Sequence, residues 1–134
     1  MSAHGQPRPN VEVVRRIYEA FSKRDMGAVF ELMAPDIEIV QSEEVPWGGS
    51  YRGHEGAAAF VAKLVGAVTS AVTVERFVDA GSSVVAIGRT RGTVNATGAA
   101  FDVPIAHVWT LRDGKAVRVH YCIDNPTMRA ALGA

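Results

Sequence analysis

The first part of the chain carries apolar residues at helical spacing. They recur every three or four positions, with charged residues between them, at Val11, Val14, Tyr18 and Phe21. This spacing predicts an amphipathic helix with one buried face, and Asn10 stands where an N-cap residue is expected. Residues 1–10 are rich in proline and small polar residues, so we expect a flexible tail there.

Two more helices and a strand are predicted before residue 70. Asp25 can cap a second, shorter helix, and Pro35 makes its continuation unfavourable. Residues 37–41 have the composition of a strand. A turn-rich loop then leads to Gly53 and to a third helix, with apolar residues at Phe60, Val61, Leu64, Val65 and Val68.

The rest of the sequence predicts a sheet. Four segments rich in β-branched residues are separated by turn signals, and they cover residues 72–79, 83–94, 99–111 and 116–124. Short turns between such segments favour an antiparallel meander. Helices followed by a run of strands are typical of the α+β class. We therefore predict one domain over residues 11–134, with three N-terminal helices packed on a curved antiparallel sheet.

Two predicted hairpins specify which side chains share a face of this sheet. With a four-residue loop in the first hairpin, Arg91 lies opposite Asp102. With a two-residue Asp-Gly turn in the second, His107 lies opposite His120. A three-residue loop at either turn would reverse the assignment.

This register gives the two faces different characters. One face combines small and polar residues and leaves room for a cavity: Ala86, Gly88, Thr90, Ile105, His107, Trp109, Arg118, His120, Cys122 and Asp124. The other is apolar: Val85, Ile87, Ala106, Val108, Val117, Val119 and Tyr121. Exposure of that surface to water is unfavourable, so we expect a homodimer through this outer face. Alternatively, the helices cover the apolar face and leave His107 and Asp124 in solvent.

Composition narrows the possible partners. The 134 residues include 14 Lys plus Arg and 14 Asp plus Glu, so binding to nucleic acid is not expected. No apolar run approaches the ~20 residues of a membrane span, and the opening residues lack the apolar core of a signal peptide. The single cysteine cannot form an intramolecular disulfide, and no metal-binding spacing accompanies it. We expect a cytoplasmic protein without a metal or cofactor.

Three segments of the chain resemble a known superfamily. They are Val13-Val-Arg-Arg-Ile-Tyr-Glu-Ala-Phe21 followed by Asp25, Trp47-Gly-Gly-Ser-Tyr-Arg-Gly-His54, and His107-Val-Trp-Thr-Leu-Arg-Asp-Gly-Lys115 leading to Asp124. In these segments the chain resembles the nuclear transport factor 2-like superfamily, in particular polyketide cyclases of the SnoaL type and their ketosteroid isomerase relatives. The resemblance implies a cone-shaped α+β barrel, commonly dimeric, with a small hydrophobic ligand between the helices and the sheet.

The resemblance also implies catalytic residues. Asp124 matches the place of the acid or base near the end of the last strand in the cyclases, and His107 resembles a pocket histidine of the same enzymes. An apolar cavity can raise the pKa of a carboxyl group toward neutrality, which suits proton exchange with a carbonyl substrate. His107 could donate a hydrogen bond to an enolate or take a proton. Each has a structural alternative, since Asp124 can cap the final turn and His107 can be a buried structural histidine.

The match to ketosteroid isomerase fails at two positions. A gapless alignment puts Gln41 at the catalytic-base aspartate and Ile17 at the oxyanion tyrosine, with Tyr18 one position away. That specific chemistry is therefore not expected. Ligand contacts are predicted for Tyr18, Gln41, Trp47, Trp109, His120 and Cys122. Glu43 and Glu44 are interpreted as part of a solvated loop.

These observations lead to one functional hypothesis and two alternatives. The hypothesis is a cofactor-independent isomerase or cyclase that moves protons on a hydrophobic carbonyl substrate such as a polyketide or steroid-like ketone, with Asp124 as acid or base and His107 assisting. The first alternative is a non-catalytic dimeric ligand-binding or accessory protein. The second is epoxide hydrolysis, which needs an acid and a water-activating base close together, whereas the sequence offers one good carboxylate.

Overall fold

The computed structural model describes residues 9–133, which form four helices and six strands. In chain order these are α1 (Pro9–Ser22), α2 (Met26–Glu31), β1 (Met33–Gln41), β2 (Gly49–Arg52), α3 (Gly53–Ala67), β3 (Val68–Ala80), β4 (Ser83–Val94), β5 (Ala100–Arg112), β6 (Lys115–Ile123) and α4 (Asn125–Leu132). The α+β class is confirmed, and α4 adds a C-terminal helix to the three predicted ones. None of the helices in residues 9–133 is long and apolar enough to cross a membrane.

The six strands form one sheet in the order β2-β1-β6-β5-β4-β3. Neighbours are antiparallel except β1 and β6, which run parallel. A parallel pair needs a long connection, and the chain between β1 and β6 supplies one. The predicted meander corresponds to β3 to β6, so the sheet is mixed rather than wholly antiparallel.

The starts of α1 and α2 differ in how well they follow local sequence signals. Asp25 caps α2 as predicted, because its Oδ1 accepts a hydrogen bond from the Ala28 backbone N–H at 3.1 Å. The N-cap assigned to Asn10 is wrong, because α1 already includes Pro9 and Asn10. The Asn10 amide instead donates to the Gly81 backbone oxygen at 2.9 Å. The rest of the predicted tail, residues 1–8, lies outside the described range.

The predicted register is confirmed in the first hairpin and wrong in the second. Between β4 and β5, Arg91 lies opposite Asp102 as predicted. Between β5 and β6, His107 lies opposite Tyr121 and not opposite His120. The pairing has shifted by one residue, and in a strand one residue is enough to move a side chain to the opposite face.

The cause of the shift is a β-bulge near the turn between β5 and β6. Leu111 pairs with Ala116 and Thr110 pairs with Arg118, which leaves Val117 without a partner on β5. The extra residue lets Ala116 be buried while Arg118 stays exposed. An unpaired guanidinium in the core would lose its hydration, so the bulge is the favourable arrangement.

The bulge exchanges residues between the two sheet faces. The inner face, which α1 and α3 cover, carries Val119 and Tyr121, both buried. The outer face carries Arg118, His120 and Cys122. The predicted faces of all five residues are therefore wrong, whereas the β4 and β5 residues keep their predicted faces.

Candidate functional site

A cavity of about 480 Å³ lies between α1, α3 and the inner face of the sheet. Its lining is mostly apolar, and two of the lining residues are unusually exposed for large apolar side chains: Val65 of α3 at 50% and Val72 of β3 at 40%. The cavity therefore opens to solvent between α3 and β3. Its volume and lining suit a small, largely apolar organic ligand.

Three aromatic side chains form a hydrogen-bonded chain beside this cavity. The indole N–H of Trp109 lies 2.9 Å from the Tyr18 oxygen, which lies 2.6 Å from Nδ1 of His107. Trp109 and His107 are two residues apart on β5 and share the inner face, while Tyr18 reaches them from α1. The Tyr18 ring also stacks on His107, with centroids 5.9 Å apart. These contacts fix the orientation of the His107 ring.

The same chain determines where the His107 proton lies. An indole N–H can only donate, so the Tyr18 oxygen accepts from Trp109. The Tyr18 hydroxyl then donates to Nδ1, its one acceptor among the described residues. Burial lowers the pKa of His107 to about 3 and raises the pKa of Tyr18 well above its ordinary value. Both side chains are therefore neutral at pH 7, and on this hydrogen-bond chain we assign the His107 proton to Nε2.

Cross-strand pairing places His107 in a row with two other polar residues. Gln41 of β1 lies opposite Tyr121 of β6, and Tyr121 lies opposite His107 of β5. We call Gln41, Tyr121 and His107 the polar row. All three line the cavity and are buried, with exposures of 5%, 9% and 5%. The His107 and Tyr121 rings meet edge to face, with centroids 4.7 Å apart, and burial raises the pKa of Tyr121.

Several predicted site residues do meet at this cavity. Tyr18, Gln41, Trp47 and His107 all line it. Trp109 is completely buried and is not part of the lining, so it acts on the cavity through Tyr18. The predicted group therefore divides into side chains that can touch a ligand and one that positions them.

Asp124 lies at the start of α4 and outside the cavity lining. Its Oδ1 accepts a hydrogen bond from the Thr127 backbone N–H at 3.2 Å, and the residue is exposed. Its backbone N–H donates to the Pro104 oxygen, which holds it at the end of β6. These contacts correspond to the capping role that the sequence left open. The structure does not bring Asp124 and His107 together.

His120 and Cys122 do not reach the cavity. Both lie on the outer face, where His120 is exposed and Cys122 is half-buried. Their predicted placement on the cavity face is wrong, because the bulge turns both side chains to the outer face. Burial raises the pKa of the Cys122 thiol, which disfavours the reactive thiolate. Glu44 is exposed in the loop before β2 and accepts a long hydrogen bond from Asn125, so it belongs to the surface as predicted.

Charge is almost absent from the cavity. Of the charged residues in the described range, the lining contains Arg24, which is exposed in the turn that follows α1. Residues 9–133 contain no group of three or more His, Cys, Asp or Glu side chains that could hold a metal ion. The site therefore offers a ligand apolar surface and neutral hydrogen-bonding groups.

Tyr121 is the site residue that the sequence analysis missed. Positions 118 to 121 alternate polar and apolar side chains, Arg118, Val119, His120 and Tyr121. Such alternation predicts that the second and fourth of these side chains face the core. Counting residue pairs outward from the Asp-Gly turn places Tyr121 on the outer face instead, because the count assumes a hairpin without a bulge.

Known structures share this architecture. An NTF2-like protein of unknown function from Burkholderia pseudomallei is 26% identical, with a TM-score of 0.88 over 96% of this chain and 100% of that chain. TerC, crystallised with polyporic acid, is 27% identical, with a TM-score of 0.86 over 95% and 100%. A candidate SnoaL-like polyketide cyclase from Jannaschia sp. CCS1 is 27% identical, with a TM-score of 0.82 over 97% and 99%. Among curated proteins, none matches the sequence.

Family membership follows from a match over most of the chain. The family model of the SnoaL-like domain matches residues 14–119, from α1 into β6. This range contains Tyr18, Gln41, His107 and Trp109. The chain therefore belongs to the SnoaL-like domain family, and its structural neighbours include NTF2-like proteins.

Proposed function

We propose that this protein is a cofactor-independent isomerase or cyclase acting on a hydrophobic carbonyl compound, such as a polyketide or steroid-like ketone. The observation that carries the proposal is the hydrogen-bonded chain from Trp109 through Tyr18 to His107. It presents the Nε2–H of a neutral histidine to an apolar cavity, where a carbonyl oxygen is a suitable acceptor. The likeness to TerC, crystallised with polyporic acid, and to the Jannaschia protein supports a small organic ligand.

His107 is better suited to stabilise an enolate than to act as a base. When a proton leaves the carbon next to a carbonyl group, negative charge develops on the oxygen, and a fixed N–H donor stabilises that charge. A neutral imidazole can serve as this donor. Because burial lowers its pKa to about 3, His107 is a weak base near pH 7. Its proposed role is therefore that of an electrophile.

The proton acceptor in this mechanism is solvent. No Asp or Glu lies among the described residues that line the cavity. Water or a buffer base entering between α3 and β3 can still deprotonate a carbon that is flanked by two carbonyl groups, because such a carbon is already acidic. Polyketide chains contain carbons of this kind, which makes them the favoured substrate class.

Deuterium exchange tests the proposed enolisation without knowledge of the natural substrate. In heavy water, 2-tetralone exchanges the hydrogens next to its carbonyl group through its enolate, and proton NMR follows the loss of signal. We expect the wild type to accelerate this exchange and His107→Phe to lose about 10²-fold, the usual cost of removing one oxyanion donor. Equal rates in these two proteins would contradict the proposal.

Asp124→Asn is the matched control for this experiment. Asparagine also caps helices well, so α4 should keep its start in the variant. Because Asp124 lies outside the cavity lining, we expect the exchange rate of Asp124→Asn to equal that of the wild type. A large loss of rate would assign Asp124 the acid or base role that the family resemblance implies.

The second candidate is a non-catalytic ligand-binding protein. The observation that favours it is the absence of a carboxylate among the described residues of the cavity lining. This candidate predicts that 2-tetralone binds the wild type but exchanges no faster than in buffer. The proposal of epoxide hydrolysis has no comparable support, since it requires an acid and a base close to each other.

We also propose that two copies of the chain pair through the outer sheet face. The outer side chains of β4 and β5 include Val85, Ile87, Ala106 and Val108, which are half-buried. Covering them would remove apolar surface from water. Light scattering should give the mass of a dimer, and Val108→Glu should give that of a monomer. A monomeric wild type would contradict this proposal.

A further inference from the structure

The Gln41 end of the polar row carries hydrogen-bonding groups that no described residue uses. The Gln41 carboxamide and the Tyr121 hydroxyl make no hydrogen bond to residues 9–133. Every completely buried polar side-chain atom in this range has a partner, so the free atoms of Gln41 and Tyr121 keep some exposed surface. Both residues line the cavity, and these atoms therefore face it. Burying a polar side chain without a partner is unfavourable. Gln41, at 5% exposure, is therefore a site where a ligand group can bind.

The chemistry of these two side chains restricts what they can bind. A carboxamide offers an acceptor and two donor hydrogens, and a phenol can donate or accept. Both are neutral, and Arg24, the charged member of the described lining, is exposed in the turn that follows α1. A carboxylate beside Gln41 would thus be buried without a cation, which is costly. A neutral hydroxyl or carbonyl group is the complementary partner.

The sheet also restricts the shape of the ligand. Adjacent strands lie about 4.8 Å apart, so the backbones at Gln41 and His107 are separated by about 10 Å, with Tyr121 between them. A molecule that contacts both ends must span this row. Two or more fused rings with an oxygen substituent at each end meet that requirement within the cavity of about 480 Å³.

We propose that Gln41 and Tyr121 form a second polar subsite, which binds a neutral hydroxyl or carbonyl group at the end of the ligand opposite the oxygen bound by His107. This inference rests on the proposed carbonyl binding at His107. It narrows the ligand class to extended, rigid compounds with two neutral oxygen groups.

A pair of fluorescent ketones tests the second subsite. The probes are 2-acetonaphthone, which has one carbonyl group, and 6-hydroxy-2-acetonaphthone, which adds a hydroxyl group at the other end of the ring system. We expect the wild type to bind the hydroxylated probe about fivefold to tenfold more tightly, as for one added hydrogen bond. In Gln41→Met, which keeps the length of the side chain, this preference should decrease, and in Gln41→Met/Tyr121→Phe it should disappear, while the affinity for 2-acetonaphthone is retained.

Two further variants make the outcome specific. Val40→Met places the same new residue on the same strand but facing the outer face, and it should keep the wild-type preference. His107→Phe should have a lower affinity for both probes and should keep the preference for the hydroxylated probe. A preference that persists in Gln41→Met/Tyr121→Phe overturns the second subsite. If His107→Phe binds both probes as tightly as the wild type does, the proposal of carbonyl binding at His107 is wrong. If neither probe binds the wild type, both proposals are wrong.

Discussion

The two ends of the polar row use their hydrogen-bonding groups differently. At one end, the Nδ1 of His107 and the hydroxyl of Tyr18 are joined to each other and to the Trp109 indole. At the other end, Gln41 and Tyr121 have no described partner and face the cavity. One end is therefore held rigidly before a ligand arrives, and the other is free to adapt to it.

This difference matches the different demands of chemistry and recognition. A donor that stabilises developing charge must be oriented in advance, because reorientation during the reaction costs free energy. A group that selects among ligands must instead be unpaired, so that the correct ligand supplies its missing partner. We propose that the end held by Tyr18 and Trp109 controls rate and that the end formed by Gln41 and Tyr121 controls selectivity.

Replacing Trp109, whose indole donates to Tyr18, should have the largest effect on the free energy of unfolding. Trp109 is completely buried, so Trp109→Ala leaves a large cavity and should lower the free energy of unfolding by about 3–5 kcal/mol. Urea denaturation measures this loss. Trp109→Phe keeps most of the packing and removes the indole donor, so it should lose less unfolding free energy than Trp109→Ala. Equal losses would show that the hydrogen bond to Tyr18, rather than packing, dominates.

Two Tyr→Phe variants compare the ends directly. Tyr18→Phe leaves the Trp109 donor and the His107 Nδ1 without a partner, and we expect a loss of about 2 kcal/mol in the free energy of unfolding. Tyr121→Phe removes a hydroxyl that has no described partner, so its effect should stay below about 0.5 kcal/mol. Similar losses in the two variants, measured by urea denaturation, would remove the distinction between a fixed and a free end.

Lowering the pH should gradually reduce the contribution of His107 to the free energy of unfolding. The pKa of His107 is about 3 in the folded protein against 6.5 ordinarily, so between these values the unfolded chain binds more protons. Stability from this residue is complete above pH 6.5 and falls as the pH decreases, by up to about 1.4 kcal/mol per pH unit. Denaturation of the wild type and of His107→Gln at several pH values measures the difference. Parallel profiles would show that His107 is not buried as a neutral side chain.

Local patterns in the sequence predicted most of the elements and part of the site. The apolar spacing around Tyr18 predicts α1, Asp25 predicts the start of α2, and counting from the loop after β4 places Arg91 opposite Asp102. The family resemblance led to His107, which does line the cavity. These predictions hold because each depends on residues that are close in sequence or on an uninterrupted pair of strands.

The second hairpin shows where such reasoning fails. A two-residue turn predicts that His107 and His120 are opposite each other, but the unpaired Val117 moves Tyr121 into that place. The turn residues contain no information about the bulge. Its benefit is the simultaneous burial of Ala116 and exposure of Arg118, which depends on what covers the sheet.

The sequence by itself determined the α+β order, the apolar faces of the helices and, through its resemblance to a family, the choice of His107 as a candidate catalytic residue. Only the tertiary structure decided that Trp109 and Tyr18 hold His107 in a hydrogen-bonded chain, that Gln41 joins Tyr121 and His107 in one row, and that Asp124 caps α4 outside the cavity. The physical reason is that periodicity acts along a strand or helix, whereas hydrogen bonds and burial arise between residues as much as 91 positions apart.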